Sequence, residues 1–214
     1  MSKDAGKETV IALPGFEHVR RSWDRASACW MVKVLPGEYY ITEGRESIST
    51  VLGSCVAACV RDTELGIGGM NHFMLPEDTS SGRSPWMRPA SGMATRYGRF
   101  AMQQLIQDLL DLGARKDRLE FKLFGGGRIL PSMTDVGAAN VAFVREFMAR
   151  HQFRIAAEDL GDCCPRRIVF YPATGRVLVK RLRNFAGQAI GNRELAYLEG
   201  LAHARDDVLR RAFD

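Results

Sequence analysis

A chain of 214 residues with 46% hydrophobic and 26% charged residues has the composition of a globular domain and the length to bury a core without disulfide staples. Its net charge of +5 is moderate and its Lys and Arg are scattered. That argues against a nucleic-acid groove and leaves an acidic protein partner as an equal explanation. No apolar run approaches the ~18 residues of a membrane span, so no membrane insertion is expected. The opening residues, MSKDAGKETVIALPG, mix both charge signs and lack the apolar centre of a signal peptide, so a cytoplasmic protein is expected. The cysteines are Cys29, Cys55, Cys59, Cys163 and Cys164. Their number is odd and no C-x-x-C occurs, so neither a disulfide framework nor a metal site is expected, and no cofactor.

Residues 1–28 show no sustained period and read as an extended arm. CWMVKVLPGEYYIT predicts two short strands joined at Pro36-Gly37. CVAACV and IGGMNHFML read as two further strands joined around DTEL. PEDTSSGRSPWMRPASGMATRYG is rich in Ser, Gly, Pro and Arg and reads as a long loop, a feature often functional in a compact domain. In RFAMQQLIQDLLDLGA the spacing of Met102, Leu105, Ile106, Leu109 and Leu112 predicts one face of a helix, with Gly113 as its left-handed cap.

RLEFKLFGGG alternates Leu119, Phe121 and Leu123 against Glu120 and Lys122, a strand ending in a glycine turn. TDVGAANVAFVREFMARHQF predicts a second helix, N-capped by Thr134 or Asp135, with Val141, Val144 and Met148 inward. FRIAAEDLG and RRIVFYPATGRVLVKRL predict three strands, the last two a hairpin over PATG. Residues 193–213 predict a final helix. The expected division is therefore an arm over 1–28, a domain over 29–182 and a helical extension over 183–214. Strands outnumber helices and mostly occur in hairpins, so the expected fold is a mixed α/β domain with antiparallel pairing.

The stretch VLGSCVAACVRDTELGIGGMNHFMLP (residues 51–76) carries the chemistry. With its hairpin centred between Thr63 and Glu64, Cys55 falls directly opposite His72. Opposed residues share a face with Cβ atoms ~5 Å apart, whereas a slip of one residue separates the faces. A neighbouring imidazole can activate a thiol and then protonate a leaving amine. Backbone N–H groups around Gly53, Ser54 and Cys55 can form part of an oxyanion hole, and Gly53 permits a sharp turn. Against this, a cysteine opening an apolar run is more often a buried structural residue, as Cys59 is expected to be. On spacing alone both readings stand.

LGSCVAACVRDTELGIGGMNHFMLP resembles the signature of the CheD family of chemoreceptor glutamine deamidases. The likeness continues through RYGRFAMQQLIQDLLDLGA, KLFGGGRIL, VGAANVAFVREFM and RIAAEDLGDCCPRRIVFYPATGRVLVK, in the family's order over roughly residues 34–181. The resemblance implies a β-sandwich core flanked by helices, similar to deamidating bacterial toxins. It implies hydrolysis of receptor glutamine amides to glutamate by a Cys-His thioester mechanism, with methyl-ester hydrolysis open to the same chemistry. The family's nucleophile falls on Cys55 and its histidine on His72. Its third position, typically threonine, falls on Ser49, with Thr50 adjacent and able to serve instead. Gly53, Ser54, Thr50 and Asn71 fall in the substrate or oxyanion vicinity.

The implied partners are the cytoplasmic helices of methyl-accepting chemotaxis receptors, with a CheC-type phosphatase as a further one. GDCCPRR at 161–167 departs from the family's glycine-rich turn. FGGGR at 124–128 lacks the Gly-Lys-Ser/Thr of a phosphate loop and reads as a tight turn near the active cleft. The loop around Trp86 and Met87 is a candidate receptor contact. Two other functions compete with the deamidase: a weakly or non-catalytic module that binds receptors or the phosphatase, and a cysteine amidohydrolase with another target.

Overall fold

The computed structural model describes residues 12–76, 97–129 and 136–182. They form ten strands and two α-helices: β1 (Arg20–Asp24), β2 (Cys29–Lys33), β3 (Tyr39–Thr42), β4 (Ser47–Leu52), β5 (Val56–Asp62), β6 (Gly68–Asn71), α1 (Gly98–Asp111), β7 (Leu119–Gly125), α2 (Val136–His151), β8 (Arg154–Leu160), β9 (Arg166–Tyr171) and β10 (Arg176–Arg181). The strands make two five-stranded sheets, ordered β1-β2-β4-β9-β10 and β3-β6-β5-β7-β8. Pairing is antiparallel except for β2 with β4 and β7 with β8. The expected mixed α/β sandwich is therefore observed.

The helices cover the outer face of the second sheet, α1 over β3 and β6, α2 over β5 and β8. The α1 stripe is Ala101, Met102, Leu105, Ile106 and Leu109, all buried. It lies close because β6 offers glycine: a Cβ at Gly69 would stand 2.8 Å from Leu105 Cδ1. Gly113 closes the helix at φ +93°, as its position predicts. The other face of this sheet meets the first sheet, where Ile48, Leu52, Met70, Cys59, Ile168 and Phe170 are buried. That interlayer holds the candidate site.

Two expectations are corrected. The segment read as an arm contributes β1, an edge strand paired residue by residue with β2 from Arg20↔Lys33 to Asp24↔Cys29. Phe16 before it is also buried, its ring edge-on to Tyr39 and Tyr40. RRSWD carries no apolar alternation because an edge strand needs little burial to hold its pairing, so no period announces it.

The β5–β6 hairpin is also longer than expected: Cys59 pairs with Met70 and Arg61 with Gly68. Asp62 sets the turn. Its Oδ1 accepts the N–H groups of Glu64 (2.9 Å) and Leu65 (3.0 Å), and Gly66 takes φ +72°. An aspartate that caps its own turn in this way lengthens the loop and moves its centre between Glu64 and Leu65. The final predicted helix, the receptor-contact loop around Trp86 and the Thr134/Asp135 cap lie outside the described residues.

Candidate active site

β4 of the first sheet ends at Leu52 and β5 of the second begins at Val56, so Gly53, Ser54 and Cys55 are the crossing between the layers. Three consecutive carbonyls of this crossing are held from one side. Gly53 O accepts from Gly127 N–H (2.8 Å), Ser54 O from Asn140 Nδ2 (3.1 Å) and Cys55 O from Gly126 N–H (2.7 Å). In a trans peptide the N–H points opposite to the C=O. The N–H groups of Ser54 and Cys55 are thereby aimed away from the glycine loop and α2.

The cradle that holds those carbonyls requires glycine. Gly125 has φ +107°, and a Cβ there would stand 2.1 Å from Cys55 O; one at Gly137, in the first turn of α2, would stand 2.7 Å from the carbonyls of Gly126 and Gly127. FGGGR is thus a tight turn packed directly under Cys55, in keeping with its reading as a turn near the cleft.

His72 follows β6. Across an isolated bridge Val56 pairs with Phe73, with N–H···O distances of 3.1 and 3.0 Å in the two directions. By that register Ala57, rather than Cys55, is opposite His72. The shift from the expected register is two residues, so Cys55 stays on the face of His72 as its diagonal neighbour. Both residues are 1% exposed.

The imidazole is gripped from the first sheet. Thr50 Oγ1 lies 2.8 Å from His72 Nδ1 and donates its own proton to Val34 O at 2.8 Å. A hydroxyl has one proton and a carbonyl only accepts. Nδ1 therefore carries the hydrogen and donates to Thr50, and Nε2 is the basic nitrogen. Nε2 is buried and has no hydrogen-bond partner among the described residues. Burial pushes the pKa of His72 from 6.5 down to about 3, so the imidazole rests neutral.

This burial has a consequence for stability. The unfolded chain binds a proton at residue 72 below about pH 6.5 and the folded chain does not, so stability falls as pH falls from there toward 3, at ~1.4 kcal/mol per pH unit. Between about pH 7.5 and 5, above the range where carboxylates titrate, the loss is expected to be ~2 kcal/mol. Urea midpoints of the wild type and His72→Gln across that interval check it. An equal slope in the two proteins would contradict a neutral, buried His72.

Ser49 sits one residue out of phase with Thr50. Ile48, Thr50 and Leu52 face the interlayer, so Ser49 projects from the opposite face of β4, away from His72. Asn71 likewise faces the helices: its Oδ1 accepts from Ala58 N–H (2.9 Å) and its Nδ2 reaches Met102 Sδ at 3.3 Å. It ties the histidine strand to β5 and α1 from behind. Gly53, Ser54, Cys55, His72 and Thr50 are brought together; Ser49 and Asn71 are not.

Asn140 was missed by the sequence reading. Its Nδ2 bridges Ser54 O (3.1 Å) and Met74 O (2.9 Å), joining the cysteine turn to the histidine segment. The signal was an asparagine on the same helical stripe as Val144, Phe147 and Met148, a buried polar residue that must find partners. Among the described residues, the group of His, Cys, Asp and Glu close enough to share an ion is Asp162, Cys163 and Cys164, which includes neither Cys55 nor His72.

A thiol and a neutral imidazole lie on one interlayer face at the crossing between the sheets, and a pair of this kind can serve acyl transfer. Comparison with known proteins places the chain more narrowly. The profile of the family CheD, described as CheD chemotactic sensory transduction, matches residues 74–181. "Probable chemoreceptor glutamine deamidase CheD" of Hahella chejuensis is 43% identical over 195 residues, 91% of this chain and 90% of the relative. Its namesake in Halorhodospira halophila is 46% identical over 198 residues, 92% and 90% of the two chains. That of Thiobacillus denitrificans is 49% identical over 181 residues, 84% and 87%. The chain belongs to the CheD family. The profile match begins after His72, but an alignment spanning 91% of the chain necessarily runs across Cys55 and His72.

Proposed function

We propose that this protein is a protein-glutamine deamidase that converts selected glutamines of methyl-accepting chemotaxis receptors to glutamate, acting in the cytoplasm on the receptors' cytoplasmic helices. The single observation that carries the mechanism is His72 Nε2, a buried base without a hydrogen-bond partner among the described residues, held in the Nδ1–H tautomer on the face of Cys55. In the first step the Cys55 thiol gives its proton to Nε2 as its sulfur attacks the carboxamide carbon. The resting pair is neutral, so proton transfer accompanies attack rather than preceding it. The C–N bond then breaks, the imidazolium returns the proton to the departing ammonia, and a thioester remains.

Water enters, gives a proton to Nε2, and adds to the thioester carbon; the C–S bond breaks and the sulfur recovers its proton. Throughout, Nδ1–H stays on Thr50 and supports the imidazolium. The Ser54 and Cys55 N–H groups stabilise the oxyanion in both halves, and losing one such donor typically costs about 3 kcal/mol. The third position is assigned to Thr50.

Intact-mass spectrometry of a chemoreceptor cytoplasmic fragment incubated with the protein tests the reading. A gain of ~1 Da per site, the amide-to-acid change, is expected. A fragment that binds without changing mass would replace it with the regulatory module, which engages receptors or a CheC-type phosphatase without turnover.

A further inference from the structure

Two thiols outside the site stand side by side. Cys163 is exposed and Cys164 half-buried, with their Sγ atoms 3.9 Å apart. They crown the turn between β8 and β9, where Gly161 and Asp162 both adopt positive φ, +79° and +71°. For Asp162 this is a sparsely populated conformation that the surroundings must hold. The fully buried guanidinium of Arg166 holds it, donating to the carbonyls of Asp159, Gly161 and Cys164 and to Asp159 Oδ1 at 2.6 Å. Pro165 stiffens the chain between this anchor and the thiols.

The same turn is wired to the glycine cradle. Arg128 N–H donates to Asp162 O and Gly161 N–H donates to Gly125 O, each at 2.8 Å. The next two amides of that cradle, Gly126 and Gly127, are the ones that hold the carbonyls of Cys55 and Gly53. One backbone turn therefore separates the paired thiols from the crossing that presents the nucleophile.

We propose that Cys163 and Cys164 form a redox-active vicinal dithiol that closes to a cyclic disulfide in exchange with small-molecule disulfides and, in closing, slows the chemistry at Cys55. In the first exchange a thiolate of the pair attacks one sulfur of the small disulfide. An S–S bond forms, the old one breaks, and one small thiolate leaves. The second protein thiol loses its proton and attacks the protein sulfur of the mixed disulfide, expelling the other small thiolate. The two cysteines give up two electrons and two protons, and the small disulfide becomes two thiols.

Closure must bring the sulfurs to about 2.05 Å, and adjacent Cα atoms only ~3.8 Å apart lie short of the usual disulfide span. The ring is therefore strained and readily reduced, as reversible rather than structural disulfides are. With Pro165 and Arg166 fixed on one side, the displacement passes to Asp162 and Gly161 and so to the bonds under Gly125–Arg128. Asp162 is ion-paired to Arg181 at 3.1 Å. The hydrogen bond to Asp162, then the neighbouring Cys164 thiol, pushes the Cys163 thiol above its ordinary range, so exchange quickens as pH rises.

The coupling to Cys55 rests on the proposed deamidase reading; ring closure does not. The full chain is equilibrated in mixtures of reduced and oxidised glutathione, quenched with iodoacetamide and digested with trypsin, and receptor-fragment deamidation is followed in parallel. The peptide 155–166, IAAEDLGDCCPR, is expected to lose ~2 Da and take up no label in the oxidising mixtures. Over the same titration the deamidation rate is expected to fall by about fivefold or more, and to recover with dithiothreitol.

Cys163→Ser and Cys164→Ser should match the reduced wild type in rate and remain insensitive, which separates this effect from oxidation of Cys55 itself. A peptide that stays doubly labelled, carries glutathione, or links two chains would overturn the proposal, as would a ring that forms without changing the rate. A reduced protein with no deamidase activity would instead refute the functional reading, while the peptide mass still decides closure.

Discussion

Cys55→Ala is expected to bring deamidation of the receptor fragment to the uncatalysed level, a fall of at least about 10⁴-fold, because the thioester route is lost with the sulfur. The alternative nucleophile to exclude is Cys59, which alternation puts on the same interlayer face. Cys59 is paired opposite Met70 within the regular ladder and is 1% exposed. Burial pushes its thiol well above the ordinary range, with Lys122 only partly opposing. It is a packing residue inside the regular ladder, between Met70 and Lys122 and away from the Gly53–Cys55 crossing whose amides the mechanism uses. Cys59→Ala should therefore keep kcat within about twofold and lose on the order of 1 kcal/mol of stability to the small cavity. Initial rates by mass spectrometry, with urea denaturation to confirm both folds, check the pair. Cys55→Ala retaining more than a tenth of the activity would move the nucleophile elsewhere.

The legible parts of the fold were those whose burial follows one clean period. The α1 stripe, the alternation of RLEFKLF and the PATG turn each announce a single element, and each is found within a residue or two of its expected bounds. Register was harder, because it depends on a hydrogen-bonded turn. The two amides accepted by Asp62 lengthen the β5–β6 loop, and nothing in the apolar pattern reports that. The error did no harm to the site because it was an even number of residues, which keeps Cys55 and His72 on one face.

The facing of β4 was legible after all. In SISTVL the apolar Ile48 and Leu52 bracket Thr50, so ordinary alternation already puts Thr50 inward and Ser49 outward. Asn140 was hidden for a different reason. Its partners are backbone carbonyls 66 and 86 residues away in the chain, and carbonyls leave no mark on side-chain composition.

Thr50→Val should then lower kcat by about 10²-fold or more with KM little changed, since it removes the acceptor that selects the Nδ1–H tautomer and supports the imidazolium, not a contact to substrate. Valine is nearly isosteric, so the loss is of hydrogen bonding. Val34 O loses its donor and the buried Nδ1–H its acceptor, which should also cost about 1–3 kcal/mol of stability. Thr50→Ser restores the hydroxyl and should return kcat to within a few-fold of wild type, an outcome a purely structural role for the methyl group would not give. Ser49→Ala, on the far face of the strand, should leave both kcat and the pH profile unchanged. The decisive comparison is Ser49→Ala against Thr50→Val in one assay: a crippled Ser49→Ala beside an active Thr50→Val would return the third role to Ser49 and require β4 to turn its other face to His72 during catalysis.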